Sequence, residues 1–277
     1  MRAALITISF LYPDAPNPPR EEMTRIYGFS SGKGGVGKST IVANLGIALA
    51  KNKQKTLLVD ADIPMPDLAT ILGIGEPPIT LCEVLSRSKK IQQAIYKGPA
   101  DVDIIPCGLS LDSFLRADIR LFKKNIMSVA KLYDFVLVDT PSGLHNYVLT
   151  ALKAVSDVFL VITPDEPAVA KALKLKTVLE VLGIRTKGII VNRVRKKLFG
   201  RTPQLSKNEI EMKLGTNVVC AVPEDEEVIN SLGFRKPLML RKPNSPASKA
   251  LQLLAKILLD DTSAGGGPKR KTQMEVG

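Results

Sequence analysis

Ten residues constrain the fold more than any others: Ser31-Gly32-Lys33-Gly34-Gly35-Val36-Gly37-Lys38-Ser39-Thr40. A short apolar run, Arg25–Ser30, precedes them, and from Thr40 to Lys51 apolar residues recur at helical spacing. Gly32, Gly37, Lys38 and Ser39 match the pattern G-x-x-x-x-G-K-[ST]. Glycines let the backbone curl so that successive N–H groups point inward at phosphate oxygens, and the helix N-terminus adds positive potential. Lys38 then reaches the β- and γ-phosphates, and the Ser39 hydroxyl meets Mg²⁺. A glycine loop serving only as a flexible connection would need neither the strand before it nor the helix after it. The segment reads as a nucleotide site.

The rest of the chain repeats the strand-then-helix rhythm. Short Val- and Ile-rich runs occur at Thr56–Asp60, Val102–Pro106, Phe135–Asp139, Val158–Thr163, Gly188–Asn192 and Val218–Val222. They are apolar on consecutive positions, as strands buried on both faces require. Between them, Arg116–Lys131, Asn146–Val155 and Ala168–Leu182 carry helical spacing, and Gly183 stands where a helix C-terminal glycine belongs. Alternating units of this kind predict an α/β fold: a doubly wound, mostly parallel sheet with helices on both faces, in one domain. Ala247–Asp260 reads as a final helix packed on the core, with Ser248, Lys249, Gln252, Lys256 and Asp260 in one polar stripe.

Lys33, inside the loop, gives the form K-G-G-V-G-K-S. It resembles the deviant Walker A motif of the MinD/ParA family of ATPases, with the archaeal MinD branch nearest, and the resemblance runs from about Met23 to Asp260. The resemblance implies a P-loop NTPase that binds ATP or ADP with Mg²⁺ and forms an ATP-dependent homodimer. In that family the counterpart of Lys33 crosses the dimer interface to the phosphates of the partner subunit's ATP. A lysine supplied in this way stabilises the dimer only while the negative phosphates are present. Lys33, Lys38 and Asp62 are the expected catalytic groups, and Gly32 to Thr40 the phosphate cradle.

Leu57-Leu58-Val59-Asp60-Ala61-Asp62 puts two carboxylates at the carboxyl end of a strand, where ligands bind in open α/β sheets. The resemblance gives Asp62 the attacking water and Asp60 a place in the Mg²⁺ shell, with Ile63–Asp67 as switch I; Asp67 is expected to cap the following helix. In Phe135–Gly143, Asp139 matches the Walker B aspartate that holds Mg²⁺ with Ser39. Gly143 would sense the γ-phosphate through its N–H, in a switch II spanning Gly143–Asn146. His145, the only histidine, stands where many bacterial relatives carry an acid; a surface loop position is the expectation. Asn192 can bond the adenine amino group and ring nitrogen. A guanine reader would need an acid at position 195, and Arg195 has no acceptor. Pro223-Glu224-Asp225 resembles the family turn whose backbone lies against the base.

Slow turnover is expected, because no arginine is placed as a finger in cis and Asp62 alone activates water weakly. Dimerisation or an unidentified activator protein would raise it. The leading reading is a MinD-like positional switch, in cell division or polar placement. The alternative is a ParA-like partition ATPase holding DNA nonspecifically through Arg193, Arg195, Lys196, Lys197 and Arg201. A metabolic kinase ranks below both. An iron–sulfur carrier would require cysteines near Asp139 or a C-x-x-C; neither occurs, and Cys82, Cys107 and Cys220 lie far apart along the chain. A net charge of +12 favours acidic partners without choosing among them. A reducing cytoplasm is expected, with peripheral membrane association as a further option. Residues 1–22 read as a dispensable or misassigned leader before a start at Met23, and residues 23–260 as the ATPase domain. Residues 261–277 read as a disordered tail whose Lys269-Arg270-Lys271 cluster attracts anionic lipid only weakly.

Overall fold

A computed structural model of the chain describes residues 24–108, 111–195 and 204–263. The expected leader, the Lys269-Arg270-Lys271 cluster, and Lys196, Lys197 and Arg201 lie outside the described residues. In chain order the elements are β1 (Arg25–Ser31), α1 (Lys38–Lys51), β2 (Thr56–Asp60), α2 (Leu68–Ile71), α3 (Leu81–Leu85), β3 (Tyr96–Lys97), β4 (Asp103–Ile105) and α4 (Leu111–Arg116). There follow α5 (Phe122–Ala130), β5 (Phe135–Ser142), α6 (Asn146–Leu152), β6 (Asp157–Ile162), α7 (Glu166–Val181) and β7 (Thr186–Val194). The last are α8 (Lys207–Leu214), β8 (Val218–Pro223), α9 (Glu226–Gly233), α10 (Leu238–Arg241) and α11 (Pro246–Ser263).

The strands form one sheet in the order β3-β4-β2-β5-β1-β6-β7-β8. Every expected strand is present and parallel to its neighbours; only β3, two residues long, is added, running antiparallel to β4 at the edge. Alternation within strands sends side chains to two cores. Leu58, Phe29 and Phe159 pack against Val42, Leu45 and Leu49 of α1 and Leu251, Leu254 and Leu258 of α11. Leu57, Val59, Val136 and Val138 face the other way, onto Phe122 and Ile126 of α5. Phe159 is fully buried, so its truncation to alanine is worth about 3–5 kcal/mol.

Several expectations are corrected. The helix expected over Arg116–Lys131 is broken: α4 ends at Arg116, and α5 begins only at Phe122. The Asp118 carboxylate accepts the Arg120 N–H and pairs with its guanidinium, capping a short 3₁₀ turn between them. The polar stripe of α11 loses Ser248, which is buried and donates to the Lys242 carbonyl at 2.7 Å. Leu253 and Ile257 are instead exposed. Cys82 and Cys107, far apart in sequence, are free thiols whose sulfurs lie 3.4 Å apart in the core beneath α3. Among the described residues no helix is long and apolar enough to cross a membrane.

Candidate functional site

The site lies at the carboxyl ends of the central strands. From β1 the chain moves outward to β2 on one side, while β6 flanks β1 on the other, so the strand order reverses at the loop that leaves β1. Such reversals open a crevice in doubly wound sheets. The loop, residues 32–37, turns into α1 through Gly37, whose φ of +89° suits glycine. A Cβ there would stand 2.3 Å from Asn192 Nδ2, and one on Gly32 2.5 Å from the Lys171 carbonyl. Both glycines therefore admit a close neighbour as well as a curl.

Lys38 opens α1, almost fully buried, with Nζ 2.6 Å from Asp139 Oδ1 and 3.9 Å from Asp62 Oδ2. Burial alone would lower the ammonium's pKa, but the Asp139 charge and hydrogen bond outweigh it and raise it. Asp60 is fully buried, and that burial together with the neighbouring Asp139 charge pushes its carboxyl well above the usual range. Asp62, half-buried, is also raised by burial, with Lys38 pulling the other way. Asp139 Oδ2 is buried without a hydrogen-bond partner. An orphaned carboxylate oxygen beside the start of α1, where Ser39 stands, fits a Mg²⁺ ion that takes its remaining ligands from phosphate and water.

Asp60 also has a structural task. Its Oδ1 accepts the Asp62 N–H and its Oδ2 the Leu68 N–H, both at 3.1 Å. The second bond caps α2. Asp67 occupies the N-cap position, but its side chain accepts no cap hydrogen bond, which corrects the expected role. The Gly143 N–H, expected to face the terminal phosphate, donates to the Ser31 carbonyl at 2.8 Å, because the β1–β5 register shifts between Phe29 and Ser31. His145 is exposed at the start of α6, as expected.

Lys33 stands in the opposite setting from Lys38. It is 44% exposed on the loop's outer rim, 3.8 Å from Asp165 Oδ1. Asp165 begins α7, accepting the Ala168 N–H at 3.0 Å and a hydrogen bond from Thr163 Oγ1. These bonds and Lys33 lower its pKa against the opposing effect of burial. Sequence reasoning missed Asp165, although an acid just past a strand's carboxyl end was the same signal that singled out Asp60 and Asp62.

On the base side, Asn192 Nδ2 donates to the Val36 carbonyl at 2.8 Å, bracing the phosphate loop, while its Oδ1 has no bond of this kind to the loop. Asp225 caps two helices, accepting the Glu227 N–H at 3.0 Å and the Ala247 N–H at 3.1 Å. Glu224, between it and Pro223, pairs with Arg195. A cavity of about 430 Å³ joins these parts, lined by residues that include Lys33, Gly35, Val36, Asp165, Arg195 and Glu224.

A strand, a glycine-rich curl and a helix carrying a buried lysine beside strand-end aspartates define a P-loop nucleotide-binding protein. A family model described as an AAA domain matches residues 24–187. An uncharacterized ATP-binding protein of Methanocaldococcus jannaschii is 36% identical over 230 residues, covering 83% of this chain and 86% of that protein. The solved septum site-determining protein MinD of Pyrococcus horikoshii, complexed with Mg-ADP, superposes with a TM-score of 0.81 at 32% identity, covering 88% of this chain and 98% of that one. The cell division ATPase MinD of Pyrococcus furiosus gives 0.80 at 31% identity, over 86% of this chain and 99% of its own. The chain belongs to the MinD/ParA family of P-loop ATPases and is of the archaeal, MinD-like type.

Proposed function

We propose that the protein is an ATP-hydrolysing switch whose two copies are joined by ATP and released by its cleavage. The observation that carries the reading is the contrast between the loop's two lysines. Lys38 is buried against Asp139, positioned for its own subunit's phosphates. Lys33 sits on the rim, half-exposed and held only by a long pair to Asp165; such pairs are worth about 0–1 kcal/mol, so little opposes its transfer to a phosphate brought by a second copy. Gly32 to Thr40 cradle the phosphates. Ser39 and Asp139 would hold Mg²⁺, with Asp60 supporting them from behind; bound there, the ion would neutralise phosphate charge. Asp62, whose raised pKa marks a carboxylate short of solvent, orients the attacking water. Asn192 and the Pro223–Asp225 turn receive adenine.

For this family position, turnover is slow until a dimer or an activator completes the site. Similarity to the cell division ATPase MinD of Pyrococcus furiosus and the septum site-determining MinD of Pyrococcus horikoshii supports a role in placing other components of the cell, at division or at a pole. Of the five basic residues only Arg193 and Arg195 are described, and the DNA-binding alternative gains little from Arg195, which is already paired with Glu224. Light scattering with ADP and with ATP, using Asp62→Ala to hold the ATP state, tests the reading: the mass should double with ATP alone. The trapped form is then offered anionic liposomes and duplex DNA separately. DNA retention falling steeply with salt would favour partition; lipid retention would favour the MinD-like role.

A further inference from the structure

We infer that Arg195 sets the base specificity of the site by occupying the carboxylate of Glu224. The inference rests on the nucleotide reading above and sharpens it. An arginine at position 195 lacks the acceptor that guanine demands, yet the fold supplies one from another strand: Glu224 lines the same cavity as Gly35 and Val36 of the phosphate loop. A free carboxylate at that rim is a guanine receptor. It accepts N1–H and N2–H together, whereas adenine presents one amino group and a ring nitrogen that is itself an acceptor.

Arg195 closes this option. Its Nε donates to Glu224 Oε2 at 2.6 Å and its Nη2 to Oε1 at 3.3 Å, so both oxygens are engaged. The hydrogen bond from Arg195, with the guanidinium charge adding to it, holds the Glu224 carboxyl below its ordinary pKa. The backbones on either side are fixed too. The Glu224 N–H donates to the Val194 carbonyl at 2.9 Å, and the Arg195 N–H to Gln204 Oε1 at 3.0 Å. A lysine, a single point charge without the planar fork, would leave one oxygen uncovered. Arg195 thus acts through Glu224, as a specificity-determining residue rather than a catalytic one.

The test is calorimetric binding of the non-hydrolysable imido analogues of ATP and GTP, with Mg²⁺, to the full chain. Wild type should prefer the adenine analogue. Arg195→Ala should raise the guanine-to-adenine affinity ratio by about tenfold, the scale of a bidentate base contact, and Arg195→Lys by a smaller factor. Removing the carboxylate as well, in Arg195→Ala/Glu224→Ala, should return the ratio to the wild-type value. Both positions are exposed, so folding should persist, checked by circular dichroism. If wild type binds the adenine analogue and Arg195→Ala leaves the ratio unchanged, the inference fails while the nucleotide reading stands. If wild type binds neither analogue, both fall.

Discussion

Lys38 and Asp139 meet across the floor of the site, an ammonium and a carboxylate 2.6 Å apart with almost no exposure to solvent. The pair joins α1 to β5 and leaves Asp139 Oδ2 unsatisfied. Removing one partner of such a pair strands the other's charge, which costs more than the pair itself contributes. Asp139→Ala should therefore destabilise the nucleotide-free protein by about 3–5 kcal/mol. Lys38→Ala/Asp139→Ala should lose less than the two single changes summed. Urea denaturation of the four proteins measures the coupling, and simple additivity would show the pair to be uncoupled.

Lys33→Ala should abolish ATP-dependent dimerisation while the monomer still binds ATP within about threefold of wild type, since the Lys33 ammonium is held in its own subunit by an exposed pair to Asp165. Light scattering and nucleotide titration report the two quantities separately. A Lys33→Ala protein that still dimerises on ATP would remove the shared-lysine scheme.

Asp60 should give the apo protein a pH dependence of definite sign. Its folded-state pKa is raised above the ordinary 3.8 by burial and by Asp139. At low pH both states hold the proton and nothing is lost. As pH rises above 3.8 the unfolded chain ionises first, and stability falls until the folded carboxyl ionises too. The stability of Asp60→Asn relative to wild type should accordingly rise across that window and level off above it, in thermal melts from about pH 4 upward. A difference that is flat with pH would show Asp60 to titrate as in the unfolded chain.

Gly37→Ala should cost about 1–3 kcal/mol from its left-handed backbone alone. It should also expel Asn192 Nδ2, 2.3 Å from the new Cβ, and so release the brace on the Val36 carbonyl. Denaturant titration reads the first effect and weakened ATP binding the second. Binding equal to wild type would mean that the brace does not shape the loop.

The parallel strands were legible because a strand buried on both faces is a run of apolar residues whatever its partners. The phosphate loop was legible because its geometry needs glycines at fixed spacing. Elements without either signal were not. The helices α2 and α10 are single turns, too short to show a 3.6-residue period, and α8 buries only Ile210 and Leu214; its Ser206–Glu209 capping box was the cue available. Long-range pairings were also hidden. Nothing local to Cys82 announces Cys107, and nothing local to Arg195 announces Glu224, since each pair is made by strands and helices that meet only in the folded chain. For Asp67 the local pattern was right about the position and wrong about the capping group: the Asp67 side chain accepts no cap hydrogen bond, and it is Asp60, at the end of the preceding strand, that accepts the first amide of the helix.

Asp60 fastens both ends of the loop between β2 and α2, at the Asp62 and Leu68 amides. The stretch between carries Met65, three-quarters exposed at its crest. With Ile63 buried beneath it and both feet tied to one acid, the crest shares its anchor with the Mg²⁺ site: a change in charge on the Asp60 oxygens is felt at the two feet in concert.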